Sequence, residues 1–172
     1  YQAVLGQFPS GKEEDLKKAL QESYGMDLDT FKNEAIHQTV LQDKLSRWYN
    51  EQESLNSDPY QKARDLIKKL DNGTSFEEVA NEYNQDPASK DFAGDSGFVS
   101  FSDLLPEFQE GIKDLATGDK KLIISRYGLH IVKILAMEEK EIDGKKEKSY
   151  NLQQIFVKPN DFVKWFTDEA KN

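Results

Sequence analysis

The N-terminal third of the chain carries its apolar residues at intervals of three and four, the period of helices that bury one face. Ser10-Gly11-Lys12-Glu13 has capping-box spacing and opens a helix with Leu16, Ala19 and Leu20 inward, which Gly25 ends. Leu28, Phe31, Ala35, Leu41, Leu45 and Trp48, widened by Ile36 and Val40, predict a longer helix over 29–50. So broad a stripe must be covered, either by the first helix or by an unfolded chain lying in a groove. Asp58-Pro59 starts a further helix, with Asp as N-cap and Pro at the first helical position. Ala63, Leu66, Ile67 and Leu70 form its inner face, and Asp71-Asn72-Gly73 stops it. Asn72-Gly73-Thr74 also fits the glycosylation pattern, but the helix-stop turn accounts for the same residues. Ser75-Phe76-Glu77-Glu78 is a second capping box, ahead of Phe76, Val79, Ala80 and Tyr83.

Beyond this the pattern shortens. Residues 84–97 are loop, rich in Asp, Gly and Ser, and 98–101 reads as a short strand. A helix over 105–115 stops at Gly118, and strands over 122–124 and 129–135 turn at Arg126-Tyr127-Gly128. A charged connection over 138–149 centres on Asp143-Gly144, a hairpin signal, and delivers a strand over 150–157 before a terminal helix over 161–170. The class is α+β. No internal repeat or low-complexity segment interrupts it.

Composition narrows the function. The 172 residues suffice for one large domain or two small ones. With 32 acidic against 23 basic residues the net charge is −9, which disfavours nucleic acid and anionic lipid as partners. No apolar run reaches the roughly 18–20 residues of a membrane span, so no membrane contact is expected. No charged-then-apolar leader opens the chain either. The start at Tyr1-Gln2-Ala3-Val4-Leu5 reads as an internal position of a longer chain, with an anchor or signal expected upstream. Absence of Cys excludes disulfides, zinc-thiolate sites and a thiol nucleophile. His37, a lone helical His with no second ligand at matching spacing, reads as a surface or packing residue. Neither metal nor cofactor is expected.

Between residues 76 and 134, several short motifs stand in a fixed order. They are the helix start Ser75-Phe76-Glu77-Glu78-Val79-Ala80, the turn Asp86-Pro87-Ala88-Ser89, the turn Gly94-Asp95-Ser96-Gly97-Phe98, the helix start Pro106-Glu107-Phe108, and the strand Gly128-Leu129-His130-Ile131. In this order and spacing the stretch resembles the parvulin family of peptidyl-prolyl isomerases. Tyr24-Gly25-Met26-Asp27-Leu28-Asp29-Thr30-Phe31 is similar to the helical chaperone segment that precedes the parvulin domain in SurA-like and PrsA-like foldases. The resemblance implies a four-stranded antiparallel sheet flanked by helices over 58–172, preceded by a helical segment over 1–57, with the boundary near 52–58. Residues 48–58 are too polar for the family's opening strand, whereas 152–157 resemble it. A circularly permuted domain is therefore expected, the other reading being a second, truncated repeat from Tyr150.

The resemblance also assigns roles. Asp86 falls beside the substrate carbonyl and His130 on one of the family's two paired His. Ser125 and Tyr127 flank His130 and can hydrogen-bond an imidazole or substrate. Leu104 and Phe108 wall the proline pocket, with Ser96 and Phe98 of the glycine turn beside it. Each has a plainer alternative, Leu104 and Phe108 as core of an amphipathic helix and His130 as a satisfied core residue. Two positions depart from the pattern. Gln154 stands where the second His is expected, and Ser96 replaces a Leu. The implied function is isomerisation of X-Pro bonds in unfolded or secreted clients, by a non-covalent mechanism, outside the cytoplasm of a bacterium. The alternative is a catalytically weak or inactive chaperone of the same fold.

Overall fold

The computed structural model describes residues 12–142 and 145–171. Its contacts divide the chain into two compact units, Tyr1–Leu45 and Ser46–Asn172.

In the first unit, α1 (Glu13–Tyr24) carries Glu13, Glu14 and Asp15 in its first turn, where carboxylates complement the helix dipole. Its N-cap is Lys12, and the Ser10-Gly11 half of the expected capping box lies outside the described residues. At the other end Gly25 takes the left-handed conformation and donates to Gln21 O. α2 (Leu28–Phe31) is capped by Asp27, which accepts from Thr30 N at 2.8 Å. A π-helical turn, Lys32–Ile36, joins α2 to α3 (His37–Glu51), so the expected helix over 29–50 forms with one widened turn inside it. Leu16, Leu20 and Leu28 make the small core, with Phe31 against it. The middle of the stripe is left uncovered, since Val40 and Leu41 are exposed, as is His37, while Ile36 and Leu45 are part-buried and Trp48 lies against Trp165.

The expected boundary near 52–58 lies downstream of the division at Leu45. The reason is side-chain chemistry in the last turns of α3: Tyr49 stacks on Phe162 and Trp165, and Asn50 donates to the Ser125 carbonyl.

The second unit is built on an antiparallel sheet in the order β1-β4-β3-β2. Its strands are β1 (Asp95–Ser100), β2 (Lys120–Ser125), β3 (Gly128–Ile142) and β4 (Lys145–Val157). Residues 150–157 therefore lie in an inner strand, with Leu129 opposite Val157 and Ile134 opposite Leu152. The Asp143-Gly144 turn lies outside the described residues. Alternation along the strands splits the core in two. Leu129, Ile131, Ile155 and Val157 meet Ala63, Leu66, Val79 and Ala80 of α4 (Ser57–Asp71) and α5 (Phe76–Tyr83). On the other face Val132, Ile134 and Leu152 meet Phe108 and Ile112 of α6 (Pro106–Ile112).

Helix starts follow the side chains available. Ser75 caps α5 by accepting from Glu78 N. α4 begins at Ser57, two residues before the expected first helical residue Pro59, with Asn56 rather than Asp58 at its N-cap. Its N-cap, Asn56, leaves the helix uncapped by its side chain and binds instead to Tyr49 O and Asn160 N. α7 (Phe162–Glu169) is capped by Asp161.

Candidate active site

The glycine turn of β1 sets the position of the site. Gly94 has φ +80°, and an added Cβ there would collide with the Gln154 carbonyl oxygen. The close approach lets Gln154 N donate to Gly94 O at 2.9 Å. β1 is thereby held beside the stretch of β4 that faces His130.

Around His130 the side chains form one polarised chain. The Asp86 carboxylate can only accept, so the Gln154 amide turns its NH2 toward it, with Nε2 donating to Oδ2 at 2.8 Å. Gln154 Oε1 then faces the imidazole and accepts from His130 Nδ1 at 3.1 Å. His130 Nε2 is left as the acceptor for the Ser125 hydroxyl, at 2.8 Å. Ser125 Oγ accepts in turn from Tyr127 N. In register, Gln154 lies opposite Val132 and His130 opposite Phe156, so the amide and the ring meet diagonally on one face of the sheet.

Burial makes this arrangement selective for a neutral ring. His130 is 6% exposed, with the ring centroids of Phe108 (edge-to-face) and Phe156 (tilted) each 4.9 Å from its own. Desolvation lowers its pKa from 6.5 to about 4, opposed in part by the Gln154 hydrogen bond and the Asp86 and Glu107 charges.

Asp86, Ser96, Leu104, Phe108, Tyr127, His130 and Gln154 all line one cleft of about 1210 Å³. Two expected residues stand apart from its walls. Ser125 is fully buried beneath His130, bonded to the ring and to Tyr127 N and Asn50, and does not itself line the cleft. Phe98 is half-exposed on the far side of a bulge in β1, and its neighbour Val99 lines the cleft instead. Ser96 is less of a wet spot than a free hydroxyl, because its Oγ donates to Leu152 O at 2.9 Å. Leu104 and Phe108 fill both of the roles open to them, as parts of the second core and as cleft wall.

Further residues, none of them among the expected site residues, hold this chain in place. Asn84 is buried and its Oδ1 accepts from both Asp86 N and Phe156 N, tying the loop to β4. Ser89 donates to Asp86 Oδ2 at 2.7 Å, and the Asp-x-x-Ser spacing of a local turn was its available signal. Phe156 was legible from period-two alternation with Leu152 and Gln154. Asn50, whose Nδ2 donates to Ser125 O at 2.9 Å, has no local signal at all.

The cleft thus brings a carboxylate, a neutral imidazole and an apolar wall together. Residues 25–138 match the family model described as the PPIC-type PPIASE domain, and the chain belongs to that family of peptidyl-prolyl isomerase domains. Among curated relatives, the foldase protein PrsA 2 of Bacillus cereus is 30% identical over 139 residues, 78% of this chain and 46% of that protein. The chaperone SurA of Nitrosospira multiformis is 28% identical over 100 residues, 58% of this chain and 22% of that protein. A solved peptidylprolyl isomerase (PrsA) from Bacillus anthracis superposes with a TM-score of 0.37 at 21% identity, over 98% of this chain and 83% of that one. The chain spans less than half the length of these two curated relatives.

Proposed function

We propose that this chain catalyses cis-trans isomerisation of X-Pro bonds in unfolded client polypeptides, in the cleft between β4, β3 and α6. Isomerisation is slow because the planar amide must lose resonance as it twists, against a barrier of about 18–20 kcal/mol. A 10,000-fold acceleration needs only about 5.4 kcal/mol and no covalent step. Leu104 and Phe108 offer an apolar wall for the proline ring. Asp86 supplies negative charge where the substrate carbonyl would lie. Resonance puts partial negative charge on that oxygen, so a nearby carboxylate raises the planar amide in energy relative to the twisted one. Gln154 and His130 hold Asp86 in place, with Gln154 bridging the two.

The observation that carries the reading is the convergence of the Asp86-Gln154-His130 chain and the Phe108 wall in one cleft, in a chain of the isomerase family. The relatives' names, foldase and chaperone, support client polypeptides as partners, and their organisms support a bacterial setting; a place outside the cytoplasm belongs to the same proposal and follows from the resemblance to SurA-like and PrsA-like foldases. NMR exchange spectroscopy on a short Ala-Pro peptide, free of any coupling protease, tests it. Catalysed exchange between the cis and trans signals is the expected result. Peptide binding without exchange would make the chain a binding module, and neither would reject the reading.

A further inference from the structure

The cleft is larger than a proline residue needs. At about 1210 Å³ it exceeds the roughly 300–1,000 Å³ of ordinary small-ligand pockets, and its walls run on from Phe108 and His130 to Phe162 and Val163 at the start of α7. We propose that this far end is a second subsite, which holds a bulky apolar side chain flanking the proline of the client. The inference rests on the isomerase reading and names what else of the substrate that site recognises.

Much of the attachment of α7 is made by groups other than its exposed apolar residues, although Phe166 also lies 5.9 Å from the Phe162 ring. Polar bonds pin the segment that leads into it: Asn160 N donates to Asn56 Oδ1 at 2.9 Å, Asn160 Nδ2 to Leu55 O at 2.7 Å, and Lys158 N to Gln85 Oε1 at 2.8 Å. Asp161 then caps the helix. Inward, Phe162 and Trp165 stack on Tyr49, at 5.4 and 5.0 Å. Val163 and Phe166, three residues apart on the outer side, stay 67% and 48% exposed. A helix already fixed by caps and by its inner rings thus presents a further apolar edge, and that edge begins inside the cleft wall.

Continuity decides the occupant. Whatever chain places proline against Leu104 and Phe108 extends in both directions from it, and the cleft leads one of those directions to Val163. A bulky apolar side chain there covers Val163 and Phe162, while a polar or small one leaves them wet.

The test uses the full chain and a set of Gly-rich host peptides with one X-Pro bond. A Leu or a Gly occupies each of the three positions before and after that bond in turn. At one of these positions the wild type should turn over the Leu peptide about tenfold better in kcat/KM than the Gly peptide, equivalent to about 1.4 kcal/mol. Val163→Glu, on an exposed position whose melting temperature serves as the folding check, should reduce that ratio to about twofold. The Val163 amide should shift on titration with the Leu peptide. If the protein binds peptides without turning them over, the isomerase reading fails and the same ratio is taken from Kd, so the two failures remain distinguishable. Equal handling of Leu and Gly at every position overturns the proposal, as does a ratio that Val163→Glu leaves unchanged. A concentration-dependent dimer that Val163→Glu abolishes, with no Leu preference, would assign the edge to a second copy and overturn it as well.

Discussion

His130 owes its charge state to packing rather than to its partners. Burial against Phe108 and Phe156 outweighs the Gln154 bond and the Asp86 and Glu107 charges, and the ring stays neutral well below pH 6.5. The unfolded chain takes up a proton near pH 6.5, whereas the folded chain does so only near pH 4. Stability from this group is therefore fully present above pH 6.5 and lost as pH falls from there toward 4, by at most roughly 3 kcal/mol. Urea denaturation should give a lower midpoint at pH 5 than at pH 7.5. In His130→Gln the pH-dependent part of that difference should shrink. Activity should be level from pH 6 to 8, because no proton moves on the ring in that range. Gln154, the departure from the paired-His pattern, also finds its explanation at this scale. One amide donates to a carboxylate and accepts from an imidazole at once, so the bridge between Asp86 and His130 is complete without a second ring. Asp86, His130 and Gln154 were legible because motif and strand alternation place them. Asn84 and Asn50 were not, because their bonds to Phe156 and Ser125 join residues 72 and 75 positions apart, and nothing local requires an Asn at either place.

Elements follow their caps and turns closely, and the differences have local causes. The helix expected over 29–50 was read from its period, but the period does not say which body each turn joins. Tyr49 and Asn50 commit the last turns of α3 to the sheet unit, ahead of the polar stretch that marked the expected boundary. Gly94 shows the opposite case, in which a motif glycine has a single steric reason. Its φ of +80° and its contact with the Gln154 carbonyl leave no room for a side chain. Gly94→Ala should destabilise the protein by about 2 kcal/mol or more, against the few tenths to 1 kcal/mol by which Gly-to-Ala stabilises at compatible sites. The same change should weaken peptide binding, since it pushes β1 away from β4 beside Gln154. Thermal melts and peptide titrations of the variant check both.

For the whole molecule, the inner position of β4 carries the largest consequence. Residues 150–157 pair with β1 on one side and β3 on the other, so the sheet core depends on a strand from the far end of the chain. We propose that this strand is the permuted counterpart of the opening strand that the resemblance implies, which would account for the lack of a strand in the polar 48–58 stretch. Truncation after Lys140 should abolish cooperative unfolding of the 59–136 region, seen as loss of the near-UV signal and of a melting transition. An unchanged transition would mean that the remaining strands close the sheet alone. The α+β class was legible from periodicity and turn chemistry, and the four-stranded antiparallel sheet from the family resemblance. The tertiary neighbours of α7 were not, because an eight-residue amphipathic helix can cover any apolar surface that its connection can reach.

The central claim is that this cleft accelerates rotation about X-Pro bonds and that the Asp86 carboxylate contributes to it. The most direct measurement is the NMR cis-trans exchange rate of an Ala-Pro peptide with wild type and with Asp86→Asn at equal concentration. The substitution keeps the shape that Ser89, Ala88 and Gln154 surround while removing the charge. The account predicts exchange well above the uncatalysed rate with wild type and at least a tenfold lower catalysed rate with the variant, about 1.4 kcal/mol of barrier. Equal acceleration by the two proteins, or none by the wild type, would contradict it.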